Sequence, residues 1–303
     1  MEIKVAKTAG FCYGVQRAVD TVYDAIEDKK KKGTDGKIYT YGPIVHNDIV
    51  VNDLREKGVE IIDDIEELKR LRDSGDLENS TVIIRAHGVG RDVYDIINSA
   101  GAHVRLADAT CPYVKKIHEL VKNAHDAGER VIITGSPTHP EVIGILGEIK
   151  NDAVVIENCE EAEKLKLPEN SHFCLVSQTT FNLEKFEDIV DIFCKKGYDI
   201  RVLNTICNAT KQRQIEAKKL AEESDVMIVI GGKNSSNTAK LYDICRSECK
   251  DTYFIQSKED LSIEADSVRC VGITAGASTP KTIIEEVLDY VRHEFWRFRE
   301  DAR

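Results

Sequence analysis

This 303-residue chain is short of aromatics, of positive charge, of long apolar runs and of closely paired cysteines. Each shortage excludes something. Aromatics are 6% of residues against 42% hydrophobic and 31% charged, the balance of an ordinary soluble globular protein. No apolar run approaches the roughly 20 residues that span a bilayer, and the opening MEIKVAKTAG lacks the apolar stretch of a secretory signal. A cytoplasmic protein with no membrane role is expected. The formal net charge of −11 argues against bulk attraction to nucleic acid, though backbone N–H groups can still hold a small anion locally. The basic run Lys29–Lys32 reads as a solvated helix end. The nine cysteines contain no C-x-x-C pair, so neither a zinc ribbon nor a thioredoxin-like motif is signalled. An odd count in a cytoplasmic chain also disfavours disulfides.

Three of the cysteines are evenly placed. Cys12, Cys111 and Cys207 are separated by 99 and 96 residues. Each follows a β-rich apolar run, in MEIKVAKTAGFC, HVRLADATC and DIRVLNTIC, and each precedes a stretch with apolar residues at three-to-four spacing. Between them, apolar runs end in polar loops at matched intervals. His46 to His87 is 41 residues, His139 to Thr179 is 40, and Asn237 to Ser278 is 41. Such self-similarity signals a repeated unit. IKVA near the start matches the strand that ends the other repeats, so residues 1–12 complete the last one. The expected architecture is α/β: three similar αβ modules, 13–110, 111–206, and 207–303 plus 1–12. Each has a small sheet of four mostly parallel strands covered by helices. Runs this apolar and short suit parallel strands buried on both faces, whose ligands bind beyond the carboxyl ends. Modules around a pseudo-threefold axis would aim their polar loops at one central cavity.

Three thiolates without a fourth suit a 4Fe–4S cluster with one iron not held by protein. A three-cysteine zinc hydrolase acting on a phosphorylated small molecule, or a non-catalytic iron–sulfur carrier or sensor, are the alternatives. Cys159, Cys174, Cys194, Cys245, Cys249 and Cys270 read as ordinary small apolar residues. His46, His87 and His139 at loop tips, with Gln178, Thr179, Thr180, Ser235, Ser236, Asn237, Ser278 and Thr279, can cradle a diphosphate. The loop GGKNSSNT does not match the P-loop pattern. Glu141, two residues after His139 and next to Pro140 at a helix start, sits beside that anion. Like charge and burial raise such a carboxyl's pKa, as a proton donor requires. His103, His118, His125, His172 and His293 fall outside the loops and read as incidental.

The motifs AGFCYGVQRAV, YGPIVHN, IRAHGV, DATCP, GSPTHPEVIGI, SQTT, TICNAT, GGKNSSNT and TAGASTP occur in this order along nearly the whole chain. In them the sequence resembles the 4-hydroxy-3-methylbut-2-enyl diphosphate reductase family of the non-mevalonate isoprenoid pathway. The resemblance implies that Cys12, Cys111 and Cys207 hold the 4Fe–4S cluster. It implies that His46, His87, Ser235, Asn237 and Ser278 bind the diphosphate with Ser236 nearby, and that His139, Glu141 and Thr179 surround the substrate hydroxyl and the proton path. The implied reaction is a two-electron, two-proton reductive dehydroxylation giving isopentenyl and dimethylallyl diphosphates, with electrons from a ferredoxin or flavodoxin. An exposed three-ligated cluster is expected to lose its unique iron in air, leaving a 3Fe–4S form or an empty site.

Overall fold

The computed structural model describes residues 2–33, 35–168, 171–261 and 268–301, with side chains as far as residue 293. Strands and helices alternate along the chain. They are β1 (Glu2–Val5), α1 (Tyr13–Lys32), β2 (Ile38–Tyr41), α2 (Asp48–Glu56), β3 (Val59–Ile62), α3 (Ile65–Ser74), β4 (Thr81–Ile84), α4 (Arg91–Ser99) and β5 (Arg105–Asp108). Next come α5 (Pro112–Asp126), β6 (Arg130–Thr134), α6 (Pro140–Glu148), β7 (Ala153–Ile156), α7 (Cys159–Lys164), β8 (Phe173–Ser177), α8 (Leu183–Lys195) and β9 (Ile200–Val202). The last are α9 (Asn208–Glu222), β10 (Val226–Ile230), α10 (Ser236–Glu248), β11 (Thr252–Ile255), β12 (Cys270–Ala275) and α11 (Lys281–Asp301).

Two compact units result: Met1–Tyr13, His46–Val50 and Asn208–Arg303 form one, and Gly14–Val45 with Val51–Cys207 the other. The first unit holds one four-stranded sheet, ordered β11-β10-β12-β1. The second holds two, ordered β3-β2-β4-β5 and β7-β6-β8-β9. Every strand pairing among the described residues is parallel, so the sheets are parallel throughout rather than mostly so. β1 enters its sheet beside β12, Glu2 opposite Cys270.

All three sheets share one order, with the second strand outside the first and the third and fourth on the other side. Their centres are buried throughout. β2 (IYTY), β8 (FCLVS) and β10 (VMIVI) are buried at every position. Period-two alternation then feeds two cores. Val226, Ile228 and Ile230 of β10 join one cluster, and Met227 and Val229 the other. In β8, Phe173 and Leu175 face one cluster, Cys174 and Val176 the opposite one. Edge strands instead carry charge, as at Lys4, Arg105 and Arg201, which discourages further strand addition.

This order has a consequence for function. Successive connections leave the first and third strands in opposite directions, so a crevice opens between their carboxyl ends. Those strands are β2 and β4, β6 and β8, and β10 and β12. The polar loops that keep 41-, 40- and 41-residue intervals follow these three pairs. The matched spacing is thus the length of the chain that leaves the crevice after the first strand, adds the second strand outside it, and returns along the third.

Candidate functional site

In the first unit the loops after β10 and β12 are drawn together by Thr238. A Cβ on Gly231 would lie 2.4 Å from Thr238 Oγ1, and one on Gly276 only 2.0 Å. Only glycine lets both loops close over the first turn of α10. Ser235 is the N-cap of that helix and accepts a hydrogen bond from Thr238 N at 3.3 Å. Ser236 is its first residue, and Asn237 follows, 6% exposed. The Asn237 Nδ2 is buried without a hydrogen-bond partner. A buried amide donor beside the N-terminal N–H groups of a helix suits an anion, which would satisfy it and be favoured by the helix dipole.

His46 belongs to the same arrangement. Its carbonyl accepts from Ser278 Oγ at 3.2 Å, and a Cβ on Gly232 would stand 2.3 Å from that carbonyl oxygen. Asn47 Oδ1 then caps the start of α2, accepting from Ile49 N and Val50 N. Cys12 N donates to Ala277 O at 3.3 Å. The unit therefore brings together Cys12, His46, Ser235, Ser236, Asn237 and Ser278. Arg213 on α9, 3% exposed, ties two of these loops from below, donating to Gly10 O at 2.9 Å and Ala275 O at 2.5 Å.

The second unit gathers the remaining predicted residues. Pro140 occupies the first turn of α6, where its missing N–H costs nothing. His139 is the N-cap, its Nδ1 accepting from Glu141 N at 3.1 Å. That bond requires Nδ1 unprotonated, which leaves Nε2 to carry the ring's N–H in the neutral form. Glu141 is 1% exposed. Its Oε1 accepts from Thr179 N at 2.6 Å and its Oε2 lies 2.7 Å from Thr179 Oγ1. Burial pushes the Glu141 carboxyl above the usual range, against the opposing pull of the two Thr179 bonds and of His118. The His87 and His139 rings meet edge-on with centroids 5.3 Å apart. Cys207 N donates to Thr179 O at 3.1 Å, and Cys111 N to Ala86 O at 2.9 Å. Thr179 thus stands between the acid and Cys207, while Cys111 adjoins the His87 loop.

The three spaced cysteines share a setting just before a helix; of the other six only Cys159, first residue of α7, also stands at a helix start, and burial pushes its thiol up. Cys12 and Cys207 immediately precede α1 and α9, and Cys111 is the N-cap of α5. There the unpaired N–H groups of a helix start favour an anionic sulfur. All three are half-buried. A Cβ on Gly14 would fall 2.5 Å from Cys111 Sγ, so the backbone is cut away where that sulfur lies. Arg17 fixes the same loop, donating to Thr110 O and Asp108 O at 2.8 and 3.0 Å. Cys174 and Cys245 are instead fully buried among apolar side chains, which pushes their thiols up to about 11 and about 12. Three half-buried thiols at helix starts form a donor set that fits a cluster held by thiolates.

A model of the LytB protein family matches residues 3–292. The chain belongs to the LytB family. Among LytB relatives, the 4-hydroxy-3-methylbut-2-enyl diphosphate reductase of Caldanaerobacter subterraneus subsp. tengcongensis is 42% identical over 96% of this chain and 97% of its own length. The reductase of the same name from Clostridioides difficile is 40% identical over 97% and 100%. The solved E-1-hydroxy-2-methyl-but-2-enyl-4-diphosphate reductase of Plasmodium falciparum superposes with a TM-score of 0.84 at 30% identity, covering 96% of this chain and 87% of that one. A solved (E)-4-hydroxy-3-methyl-but-2-enyl diphosphate reductase, the terminal enzyme of the non-mevalonate pathway, gives 0.65 at 40% identity over 97% and 100%. The family relationship expected from the motifs is borne out. No helix among the described residues is long and apolar enough to cross a membrane.

Two participants escaped the sequence reading. Arg213 follows Cys207 by six residues on α9, and His118 follows Cys111 by seven on α5. Seven residues is two helical turns, so that spacing already placed His118 on the face of Cys111.

Proposed function

We propose that the chain catalyses reductive dehydroxylation of (E)-4-hydroxy-3-methylbut-2-enyl diphosphate to isopentenyl and dimethylallyl diphosphates, consuming two electrons and two protons. Cys12, Cys111 and Cys207 hold a 4Fe–4S cluster. When bound, that cluster supplies the electrons and, at the iron without a protein ligand, a Lewis acid. The electrons originate from a ferredoxin or flavodoxin. The repeated sheet order supports a reading of the chain as three αβ modules, 13–110, 111–206, and 207–303 with 1–12, with the three cysteines at the module boundaries.

The observation that carries the chemistry is the buried Glu141 carboxyl on Thr179. An acid whose pKa burial raises keeps its proton to higher pH than an ordinary carboxyl and can give it to a departing hydroxyl. Glu141 Oε2 and Thr179 Oγ1 are 2.7 Å apart. In the protonated acid Oε2 donates to Thr179 Oγ1, which frees the threonine hydroxyl to donate onward, while Oε1 still accepts from Thr179 N. A proton can thus leave Glu141 as another leaves Thr179, with no heavy atom moving far. The C–O bond breaks as that proton reaches the hydroxyl oxygen, and water departs. A second proton at either end of the reduced allylic fragment gives the two products. His139, held by its Nδ1 bond, lies beside this path.

The unpartnered Asn237 amide, the Ser235 and Ser236 helix start, Ser278 and His46 favour the diphosphate reading, and His87 is assigned to the same anion. Backbone donors, imidazoles and hydroxyls recognise its oxygens without a cluster of basic side chains. The deciding experiment is turnover by anaerobically purified protein, with dithionite and a viologen mediator. Brown protein whose activity scales with iron and sulfide content is expected. Colourless zinc protein that hydrolyses phosphorylated compounds would establish the hydrolase instead.

A further inference from the structure

His118 lies outside every motif that the proposed reaction uses, yet its ring touches two of the segments that carry the reaction. It projects from α5 and is almost fully buried, with a side-chain exposure of 11%. The imidazole packs against two glycine positions, beside the Thr110 methyl at Gly88 and the Val89 backbone at Gly144. A Cβ on Gly88 would lie 3.3 Å from its Cε1 and Nε2, and one on Gly144 would lie 3.4 Å from Cε1. Gly88 directly follows His87 and has φ +71°. Gly144 stands on α6, one turn after Glu141. At the other end of α6, Glu148 Oε1 is 3.1 Å from His118 Nδ1. One ring is therefore wedged between the His87 loop and the helix of the acid, and anchored to that helix.

Its remaining nitrogen, Nε2, is buried without a hydrogen-bond partner. Behind the ring a cavity of about 240 Å³ is bordered by Tyr94, Asp108, Lys115, Glu119, Lys122 and Glu148. We propose that His118 is a positioning residue for Glu141: wedged between Gly88 and Gly144 and held by Glu148, it keeps α6 in register with the Thr179 loop and sets a second titratable group beside the acid. This rests on the reading of Glu141 as the proton donor.

The mechanical part follows from contact. Moving the ring displaces α6, and the Glu141–Thr179 bonds of 2.6 and 2.7 Å tolerate little displacement. A misplacement of ~1 Å in a reacting constellation costs on the order of 100-fold in rate. The electrostatic part has a definite sign. Positive charge on His118 favours the Glu141 carboxylate, opposing burial. The hydrogen bond to His118 likewise holds the Glu148 carboxyl below its usual range. Arg91 from α4 and Lys122 from α5 add smaller pulls on Glu148 in the same direction. From the other elements Asp108, Lys115 and Glu119 face the cavity, and burial pushes Tyr94 up to about 12, so it stays neutral. Glu141 itself is faced by Thr179 from the β8 loop and by His139 on its own helix.

The test uses His118→Asn, which retains an N–H toward Glu148 but cannot titrate, and the near-isosteric Glu148→Gln. On the anaerobic holoenzyme, kcat and KM are measured across pH. Separately, the protonated-carboxyl C=O band of Glu141, identified by its loss in Glu141→Gln, is titrated by infrared difference spectroscopy without turnover. Both variants are expected to lower kcat on the order of tenfold with KM within about twofold, and His118→Asn is expected to move the Glu141 band's midpoint upward. A midpoint that stays or moves down, or a kcat profile superimposable on the parent's, overturns the inference. If Glu141→Gln itself turns over normally, the proton-donor reading has failed; if it is inactive while the His118 and Glu148 variants behave as the parent, only this inference has.

Discussion

Replacing Glu141 by Gln keeps the shape of the protonated acid and removes its proton. The amide oxygen can still accept from Thr179 N, and the amide N–H can donate to Thr179 Oγ1, so both bonds seen at 2.6 and 2.7 Å are retained. Below the usual carboxylate range, where the parent acid is protonated in both folded and unfolded states, stability should change by less than about 1 kcal/mol. Glu141→Ala behaves differently. It strips both partners from Thr179 at a position 1% exposed, and loss of about 2–4 kcal/mol is expected from unmet buried groups and the cavity left behind. In activity, Glu141→Gln should lower kcat by about 10²–10⁴, the usual worth of a positioned acid, while KM and iron content hold. The pH dependence of stability gives an independent check. Burial raises the folded-state pKa of Glu141 above that of the unfolded chain, so the folded state binds this proton more tightly. Its stabilising contribution is full below the usual carboxylate range and is lost as pH rises through the raised value. Gln does not titrate. The stability of Glu141→Gln relative to the parent should therefore climb with pH in that window, at up to about 1.4 kcal/mol per unit. Urea unfolding of anaerobic protein at several pH values measures this. A flat or falling difference, or near-normal turnover in a cluster-replete variant, would refute the assignment.

Single replacement of Cys12, Cys111 or Cys207 by Ser should bleach the visible absorption, lower bound iron and abolish turnover. Cys245→Ala, in a buried apolar cluster, should keep colour and iron and cost about 1 kcal/mol of stability; loss of iron there would contradict the division of the thiols. Asn237→Ala removes the unpartnered buried amide, so KM should rise about tenfold, equivalent to about 1.4 kcal/mol, with kcat little changed. An unaltered KM, or unaltered inhibition by inorganic pyrophosphate, would count against its place in the anion cradle. Gly232→Ala forces a methyl to 2.3 Å from the His46 carbonyl, which is backbone and cannot swing aside. A loss of about 1–3 kcal/mol together with a raised KM is expected, and unfolding and steady-state assays on one preparation would show whether both occur.

Much of the scaffold was legible because the features that specify it are local. Apolar runs such as VMIVI and FCLVS, too short for helices of ordinary length and apolar at successive positions, fit strands buried on both faces. Intervals of 41, 40 and 41 residues record a passage whose length is set by a strand, a helix and their turns. The carboxyl-end rule then placed the polar loops, and with them His46, His87, His139, Thr179, Asn237 and Ser278, before any partner was known. The sequence reading left the strands mostly parallel; ladder pairing shows them parallel throughout among the described residues.

Sequence by itself thus determined the strand and helix sequence, the loops that carry chemistry and the three cysteines that differ from the rest. Tertiary structure alone decided the partnerships. Glu141 finds Thr179 across 38 residues, Ser278 finds the His46 carbonyl across 232, and Arg213 finds Gly10 across 203. None of these pairs leaves a periodic trace, because each depends on two distant segments being packed to within a hydrogen-bond length. The glycines show the same limit from the other side. At Gly88, Gly144 and Gly232 only the packed molecule shows what a side chain would meet: the Thr110 methyl and the His118 ring at the first, the Val89 backbone and the same ring at the second, and the His46 carbonyl at the third.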